Sequence, residues 1–502
     1  MRPTRSRTWL ERRQSTTFAP SDAEQSPIVS DAVQGMYVQA AQLADNMTGV
    51  KGTANGNLAS VPGQLIQTDG TQYTWNSNLG PVTPGANVNG SEEIGWESLP
   101  DVPGFVLNDS MKVFNKFRNE SGIMPFYISV DDPATVKRFI VVLPGKPRDT
   151  WKYANYMLNA RNIVVEQQFA PFNTMGLTGN NASVGIVAPA FLNMQDLSAG
   201  ACKPQYLCFA ASLWQEGGTN KNPKMQHELT SFDAMDAILD QLFDKSIYPS
   251  LNQVVVAGHS LGGQGVQRYA VMKKTKAYDS NVRYWIANPG SWAWLSSNRP
   301  YPNANATCAP TFDDWPYGIH GNTSKITKYA RDDAVVNNGA DIVARYQSRT
   351  VNYAFGLFDV GSGDTHCQAA WQGSNHLDRG SNFVMSMGND FPGGFPKTHT
   401  ADFIANVTHQ DYSMYSASIS LQRLFGDELN TRNPDLTNVT NPGDKPAKAP
   451  STGQHAFATP VHEIMARSLL GGSIGVTILA FFFLPLLFQS NYDQGWEKDE
   501  YR

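Results

Sequence analysis

Two stretches of the 502-residue chain match the pattern G-x-S-x-G: Gly258-His-Ser260-Leu-Gly262 and Gly471-Gly-Ser473-Ile-Gly475. A serine hydroxyl is a weak nucleophile until a base removes its proton, so the pattern matters only where a tight turn exposes the serine beside an imidazole. Ordinary Gly and Ser frequencies give about 0.2 to 0.3 chance matches in a chain of this length, so context decides. The first match directly follows the apolar run Val254-Val-Val-Ala257 and directly precedes a helix-compatible stretch, Gln264 to Lys273. Strand, sharp turn and helix are what a nucleophile elbow needs. Gly258 and Gly262 leave the backbone room to turn, Ser260 points outward, and the N–H of Leu261 at the helix start faces a developing oxyanion. A Gly-rich turn with an idle serine is the alternative. The second match lies inside an uncharged apolar stretch and is discounted.

The elements around Ser260 follow from hydrophobic pattern. Short β-branched or aromatic runs occur at Phe126 to Val130, Arg138 to Leu143, Val184 to Ala188, Gln253 to Ala257, Val282 to Ile286 and Val351 to Phe355. Helix-compatible stretches lie between several of them, as at Ser231 to Leu242, with apolar residues at Phe232, Met235, Ile238, Leu239 and Leu242. Apolar strands alternating with helices predict an α/β fold, a mostly parallel twisted sheet covered on both faces. Before it come a basic arm, 1–25, and a Gly, Asn, Thr and Pro-rich segment, 26–105, read as loops with a few strands such as Gln72 to Trp75. After the α/β domain, 106–430, come a Pro and Thr-rich linker, 431–468, the uncharged segment 469–488 and a polar tail, 489–502. Twenty apolar residues make a helix about 30 Å long, the thickness of a bilayer core, so Leu469 to Phe488 is expected to be a single transmembrane helix. A charged tail follows it, which a glycolipid-anchor signal would lack.

The elbow GHSLGG and the run Leu143-Pro-Gly145-Lys-Pro-Arg-Asp149 after an earlier strand resemble the α/β-hydrolase superfamily, from about Phe126 to Phe425. The Pro-Gly-Lys-Pro-Arg-Asp segment and a Cys-containing stretch after the acid strand look, more narrowly, like a group of fungal esterase-like hydrolases. The resemblance implies that Gly145 or Lys146 supplies the second oxyanion N–H, although Pro144 stands where the superfamily usually has His. It also implies the chain order Ser, acid, His, each just after a strand. Asp359, directly off the run Val351 to Phe358, is then the expected acid, with Asp364 as the alternative. His409 is the expected base, because it follows Asp402 to Thr408, read as the last strand, and precedes Tyr412 to Phe425, read as a helix. His366, His376 and His399 also lie after the acid. The superfamily often places a cap where residues 292–350 lie, and Trp292, Trp294, Tyr301, Phe312, Trp315 and Tyr317 there would suit either an apolar pocket or the cap's own core. By nearness and by the resemblance, Cys202 pairs with Cys208 and Cys308 with Cys367, free thiols being the alternative.

Composition narrows the function further. Hydrophobic residues make up 41% of the chain, charged residues 17%, and the net charge is −5, with no basic excess of the kind nucleic-acid binding requires. No metal or cofactor is expected, since the chain lacks an H-E-x-x-H pair and the triad leaves a metal no role. The expected partners are a small-molecule or lipid-like ester and a membrane. A tethered binding protein without catalysis is the competing class, which loss of any triad member would have favoured. Nine N-x-S/T sequons begin at Asn46, Asn89, Asn108, Asn119, Asn181, Asn305, Asn322, Asn406 and Asn438, against roughly six expected by chance. With the cysteine pairs they point to a lumenal or extracellular domain; the lack of an N-terminal apolar run fits a cytosolic, tail-anchored placement instead.

Overall fold

Valine-rich strands buried on both faces dominate the centre of the molecule, because a parallel sheet with helices on either side leaves no strand face for solvent. The computed structural model describes residues 65–67, 88–166, 183–302, 304–404 and 407–427. The basic arm, the Gln72 to Trp75 run, the linker, the apolar segment 469–488, its tail and the sequons at Asn46, Asn181, Asn406 and Asn438 lie outside these residues. Among the described residues no helix is long and apolar enough to cross a membrane.

The main sheet has nine strands: β1 (Leu65–Gln67), β2 (Phe105–Asn108), β3 (Phe126–Ser129), β4 (Arg138–Leu143), β5 (Val184–Pro189), β6 (Gln253–His259), β7 (Val282–Ala287), β8 (Thr350–Gly356) and β9 (His399–Ile404). Their order is β1-β9-β8-β7-β6-β4-β5-β3-β2. All neighbours run parallel except β3, which is antiparallel to both β5 and β2. Every residue of β6 is buried, and its side chains alternate: Val254 and Val256 join one hydrophobic cluster, Val255 and Ala257 the other. Period-2 alternation thus serves two cores, one on each face.

Helix α1 (Thr150–Glu166) follows β4, α2 (Ser231–Leu242) precedes β6, and α3 (Leu261–Met272) leaves the elbow. The start of α2 is fixed by a capping box in which Thr230 and Asp233 satisfy each other's backbone N–H. All twelve residues of α3 are buried, so the helix that carries the nucleophile is part of the core. Helix α4 (His376–Asn389) follows β8.

The structure differs from the sequence expectations in particular places. The last strand is His399–Ile404 and not 402–408. Its register against β8 begins at His399, whose ring is taken in by Tyr353 Oη (3.1 Å), so polar residues at its start masked the strand in the sequence. The expected helix 412–425 is three short pieces, Asp411–Ser416, Ser418–Leu421 and Gln422–Gly426. Leu65–Gln67, in the segment read as loops with a few strands, and Phe105–Asn108, at the start of the expected α/β domain, both add edge strands to the sheet. Cys202 and Cys208 are joined by a disulfide, whereas Cys308 and Cys367 are not bonded, although the two expected partners do meet, thiol within hydrogen-bonding reach of thiol. In the excursion between β7 and β8, Trp292 stacks on Phe383 (4.4 Å) and Trp294 meets the same ring edge-on (5.4 Å). Both tryptophans are fully buried, so they build a core and line no pocket.

Candidate active site

Three sheet strands end on one side of the molecule, and each hands a polar side chain to the same place. Ser260 follows the end of β6 directly, Asp359 lies three residues beyond β8, and His409 five beyond β9. The carboxyl ends of parallel strands are where loops converge and ligands bind in such sheets.

Ser260 sits at φ 57° and ψ −125°, a conformation an L-residue adopts only under constraint. The constraint is close backbone packing. A Cβ on Gly258 would lie 2.4 Å from Gly262 C and O, and one on Gly262 would lie 2.7 Å from Leu143 O and Pro144 O. The serine N–H is held by Ala287 O at 3.0 Å, and its own carbonyl accepts from Gln264 N at 3.0 Å. Turn, helix and adjacent strand therefore fix the hydroxyl together.

His409 Nε2 lies 2.8 Å from Ser260 Oγ, and its Nδ1 lies 2.7 Å from Asp359 Oδ2. The carboxylate can only accept, so Nδ1 carries the proton and Nε2 is left to take the serine proton. Asp359 is fully buried, whereas His409 is about one-third exposed at 34% of its side chain, so the relay runs from the interior to an accessible surface. Burial opposes the charge on Asp359, but the imidazoles of His376 and His409 outweigh it and hold the carboxyl well below the usual carboxylate range.

The alternative acid, Asp364, is engaged elsewhere. Its Oδ1 pairs with His366 Nδ1 (2.6 Å), and its Oδ2 accepts from Ser291 Oγ (2.7 Å) and Tyr317 Oη (3.0 Å). The structure brings together Ser260, Asp359 and His409 and leaves Asp364 out.

The oxyanion candidates also converge. Leu261 is the first residue of α3, so its N–H has no carbonyl one turn earlier in the helix. The loop Pro144 to Asp149 packs against the elbow through the Gly262 contacts above. It is anchored from outside by Arg148, which is bidentate to Asp196 (2.9 and 3.1 Å), and by Trp96 Nε1, which donates to Pro147 O (2.6 Å). Gly145 is required here because a Cβ would lie 2.3 Å from Tyr153 Oη. Lys146 turns its ammonium to Glu92 (2.7 Å), so what it offers the site is its backbone.

Two further imidazoles flank the base: His259, inside the elbow motif, and His376, one of the histidines after the acid, neither of which the sequence assigned to this place. His376 stacks on His409 at 4.1 Å and 30°, and its Nδ1 lies 3.0 Å from Gly361 O and 3.2 Å from Asp359 Oδ1. Both are acceptors, so Nδ1 carries the proton, and burial lowers the pKa of this ring. On the other side His259, fully buried, faces His409 at 4.6 Å. Its Nδ1 donates to Asp411 Oδ1 (2.6 Å), and its Nε2 accepts from Asn288 Nδ2 (3.3 Å). His259, Asp359 and His409 bring potential ligand atoms within 4.8 Å of one another. A cation there would have to replace the proton shared between His409 and Asp359, so the arrangement is that of a hydrogen-bonded relay.

The sheet is mostly parallel, and Ser260, Asp359 and His409 follow the carboxyl ends of three of its strands in that chain order. No protein-family model matches the sequence, and no curated protein does. Among solved structures, the chain resembles poly(aspartic acid) hydrolase-1 from Sphingomonas sp. KT-1 at 16% identity and TM-score 0.41, over 64% of this chain and 99% of that one. It resembles LpqC, a poly(3-hydroxybutyrate) depolymerase from Bordetella parapertussis, at 16% identity and TM-score 0.42, over 67% and 94%. An S-formylglutathione hydrolase from Agrobacterium tumefaciens aligns at 11% identity and TM-score 0.32, over 67% and 94%.

Proposed function

We propose that the chain is a serine hydrolase that cleaves carboxylic esters through an acyl-enzyme on Ser260. The observation that carries the reading is the unbroken relay of 2.8 and 2.7 Å from Ser260 through His409 to Asp359. His409 Nε2 takes the serine proton as Oγ attacks the acyl carbon, and returns it to the departing alcohol. Asp359 holds the ring in that tautomer and stabilises the imidazolium that forms. The N–H of Leu261, with that of Gly145 or Lys146, would receive the tetrahedral oxyanion. Acyl transfer to water then repeats the cycle with a water in place of the serine.

A fluorophosphonate probe tests this directly: the intact chain is labelled, and Ser260→Ala is not. Labelling that persists in Ser260→Ala would remove the assignment.

The same reading includes a membrane tether. The support for residues 469–488 as a single span is their length and lack of charge. The Cys202–Cys208 bond supports an oxidising, lumenal or extracellular placement of the catalytic domain. Asn89, Asn119, Asn305 and Asn322 are exposed and Asn108 half-exposed, as glycan acceptors in such a compartment must be. Endoglycosidase treatment that leaves the gel mobility of the native protein unchanged would count against this placement.

A further inference from the structure

Two residues beyond the base, Asp411 makes a set of contacts that the triad chemistry does not use. Its Oδ1 accepts from His259 Nδ1 (2.6 Å) and from Tyr153 Oη (2.9 Å). Tyr153 Oη is the group against which Gly145 packs, so it touches the oxyanion loop. His259 is the residue before the nucleophile, and its ring lies 4.6 Å from that of His409. Beyond it, Asn288 donates to His259 Nε2, while its Oδ1 accepts from Gly356 N (3.0 Å) at the end of the acid strand. One connected set of hydrogen bonds therefore touches the oxyanion loop, the nucleophile strand, the base loop and the acid strand.

We propose that Asp411 is a positioning residue of the hydrolase reaction, which pins the base loop through His259 and sets a second carboxylate beside His409 to favour its imidazolium. The proposal rests on the serine-hydrolase reading above. Two effects are separable in it. The first is geometric: Asp411 opens the short helix Asp411–Ser416 two residues after His409, so its bonds to His259 and Tyr153 hold the base at 2.8 Å from Ser260 Oγ. The second is electrostatic. An imidazolium formed on His409 meets Asp359 directly and Asp411 across the ring of His259, and both anions stabilise it. The charged and titratable groups that face this position are Asp359 and His376 from the acid loop and α4, His259 from β6, Tyr153 and Asp149 from α1 and the loop before it, and Tyr415, one turn along the helix that Asp411 opens. Asp149 is itself paired with Lys152 Nζ (2.5 Å), which leaves Asp411 as the uncompensated second anion. His259 stays neutral, since burial lowers its pKa against the pull of Asp411.

The test uses the full chain with Asp411→Asn, Asp411→Ala and Tyr153→Phe, with kcat and KM measured against pH on a soluble chromogenic ester. Asp411→Asn keeps an acceptor for His259 and Tyr153 but removes the charge. It is expected to leave KM and the melting temperature unchanged, to move the acid limb of the kcat profile to lower pH by about half a unit, and to lower kcat by the matching factor of about three. Asp411→Ala loses the geometric effect as well and is expected to lower kcat further, and Tyr153→Phe to lower it less. An Asp411→Asn enzyme with wild-type kcat and an unmoved acid limb would overturn the proposal and reduce Asp411 to a spacer. If instead the unaltered chain is neither active nor labelled at Ser260, it is the hydrolase reading that fails.

Discussion

Replacing His376 by Phe isolates one electrostatic contact behind the relay. The substitution keeps an aromatic ring over His409, where the imidazole now stacks at 4.1 Å, and removes the Nδ1–H that faces Asp359 Oδ1 at 3.2 Å. That oxygen makes no hydrogen bond of good geometry among the described residues, while Oδ2 is taken by His409, so the His376 N–H acts on it as a nearby dipole. A hydrogen bond to a charged acceptor is worth about 1.5–3 kcal/mol net. Here the proton is bonded to Gly361 O (3.0 Å) and only faces Asp359, so the effect lies at the lower end of that range. About 1.5 kcal/mol, felt as a loosened carboxylate behind the base, corresponds to about a ten-fold fall in kcat/KM. The assay is ester hydrolysis together with the rate of fluorophosphonate labelling of Ser260, since both report the same activated serine. His376→Ala, measured beside it, removes the ring contact as well and is expected to fall further. Full kcat/KM in His376→Phe, with a normal melting temperature, would refute the claim that His376 supports the acid.

Other outcomes follow from the same geometry. Asp359→Asn is expected to lower kcat by about 10³ to 10⁴-fold, because the amide cannot stabilise the imidazolium, while Asp364→Asn leaves the relay intact and kcat within about two-fold; steady-state kinetics of the pair separates the two candidate acids. Gly262→Ala drives a Cβ to 2.7 Å from the carbonyls of Leu143 and Pro144, which are backbone and cannot swing away, so activity should collapse with the oxyanion loop. Gly265→Ala, one turn along the same helix, meets side chains at 3.2 Å and should remain active and folded in the same assays. Burial pushes the pKa of His399 down to about 3. Its unfolded value is about 6.5, so the unfolded chain takes up the proton first; the contribution to stability is complete above about pH 6.5 and is lost as pH falls towards 3. At pH 5 the loss is about 2 kcal/mol, and urea titrations at pH 8 and 5 should show that much less pH dependence in His399→Gln.

The grouping of Ser260, Asp359 and His409 was legible in the sequence because Ser260 and Asp359 follow apolar runs that announce β6 and β8. The order Ser, acid, His then left few residues to choose among. What it hid is polar and long-range. His259, His376, Asp411 and Asn288 are drawn together from four separate segments, and nothing in their local spacing marks them. The same reason explains β9: His399, Thr400 and Asp402 are satisfied by partners such as Tyr353, Asn352 and Arg423, so the strand looked three to four residues later than it is. The tryptophans of the β7–β8 excursion were ambiguous because an aromatic cluster has the same composition whether it packs a core or lines a pocket; Phe383 on α4 decided the matter for Trp292 and Trp294.

The sheet order gives the catalytic groups unequal security. Ser260 hangs from β6, with long parallel neighbours β4 and β7 on either side, whereas His409 hangs from β9, whose outer neighbour is only the three-residue β1. Opening free energies fall towards sparsely packed margins. The enzyme should therefore lose turnover at a denaturant concentration that leaves the buried tryptophans of its centre undisturbed, because the margin lets go of the base before the middle lets go of the nucleophile.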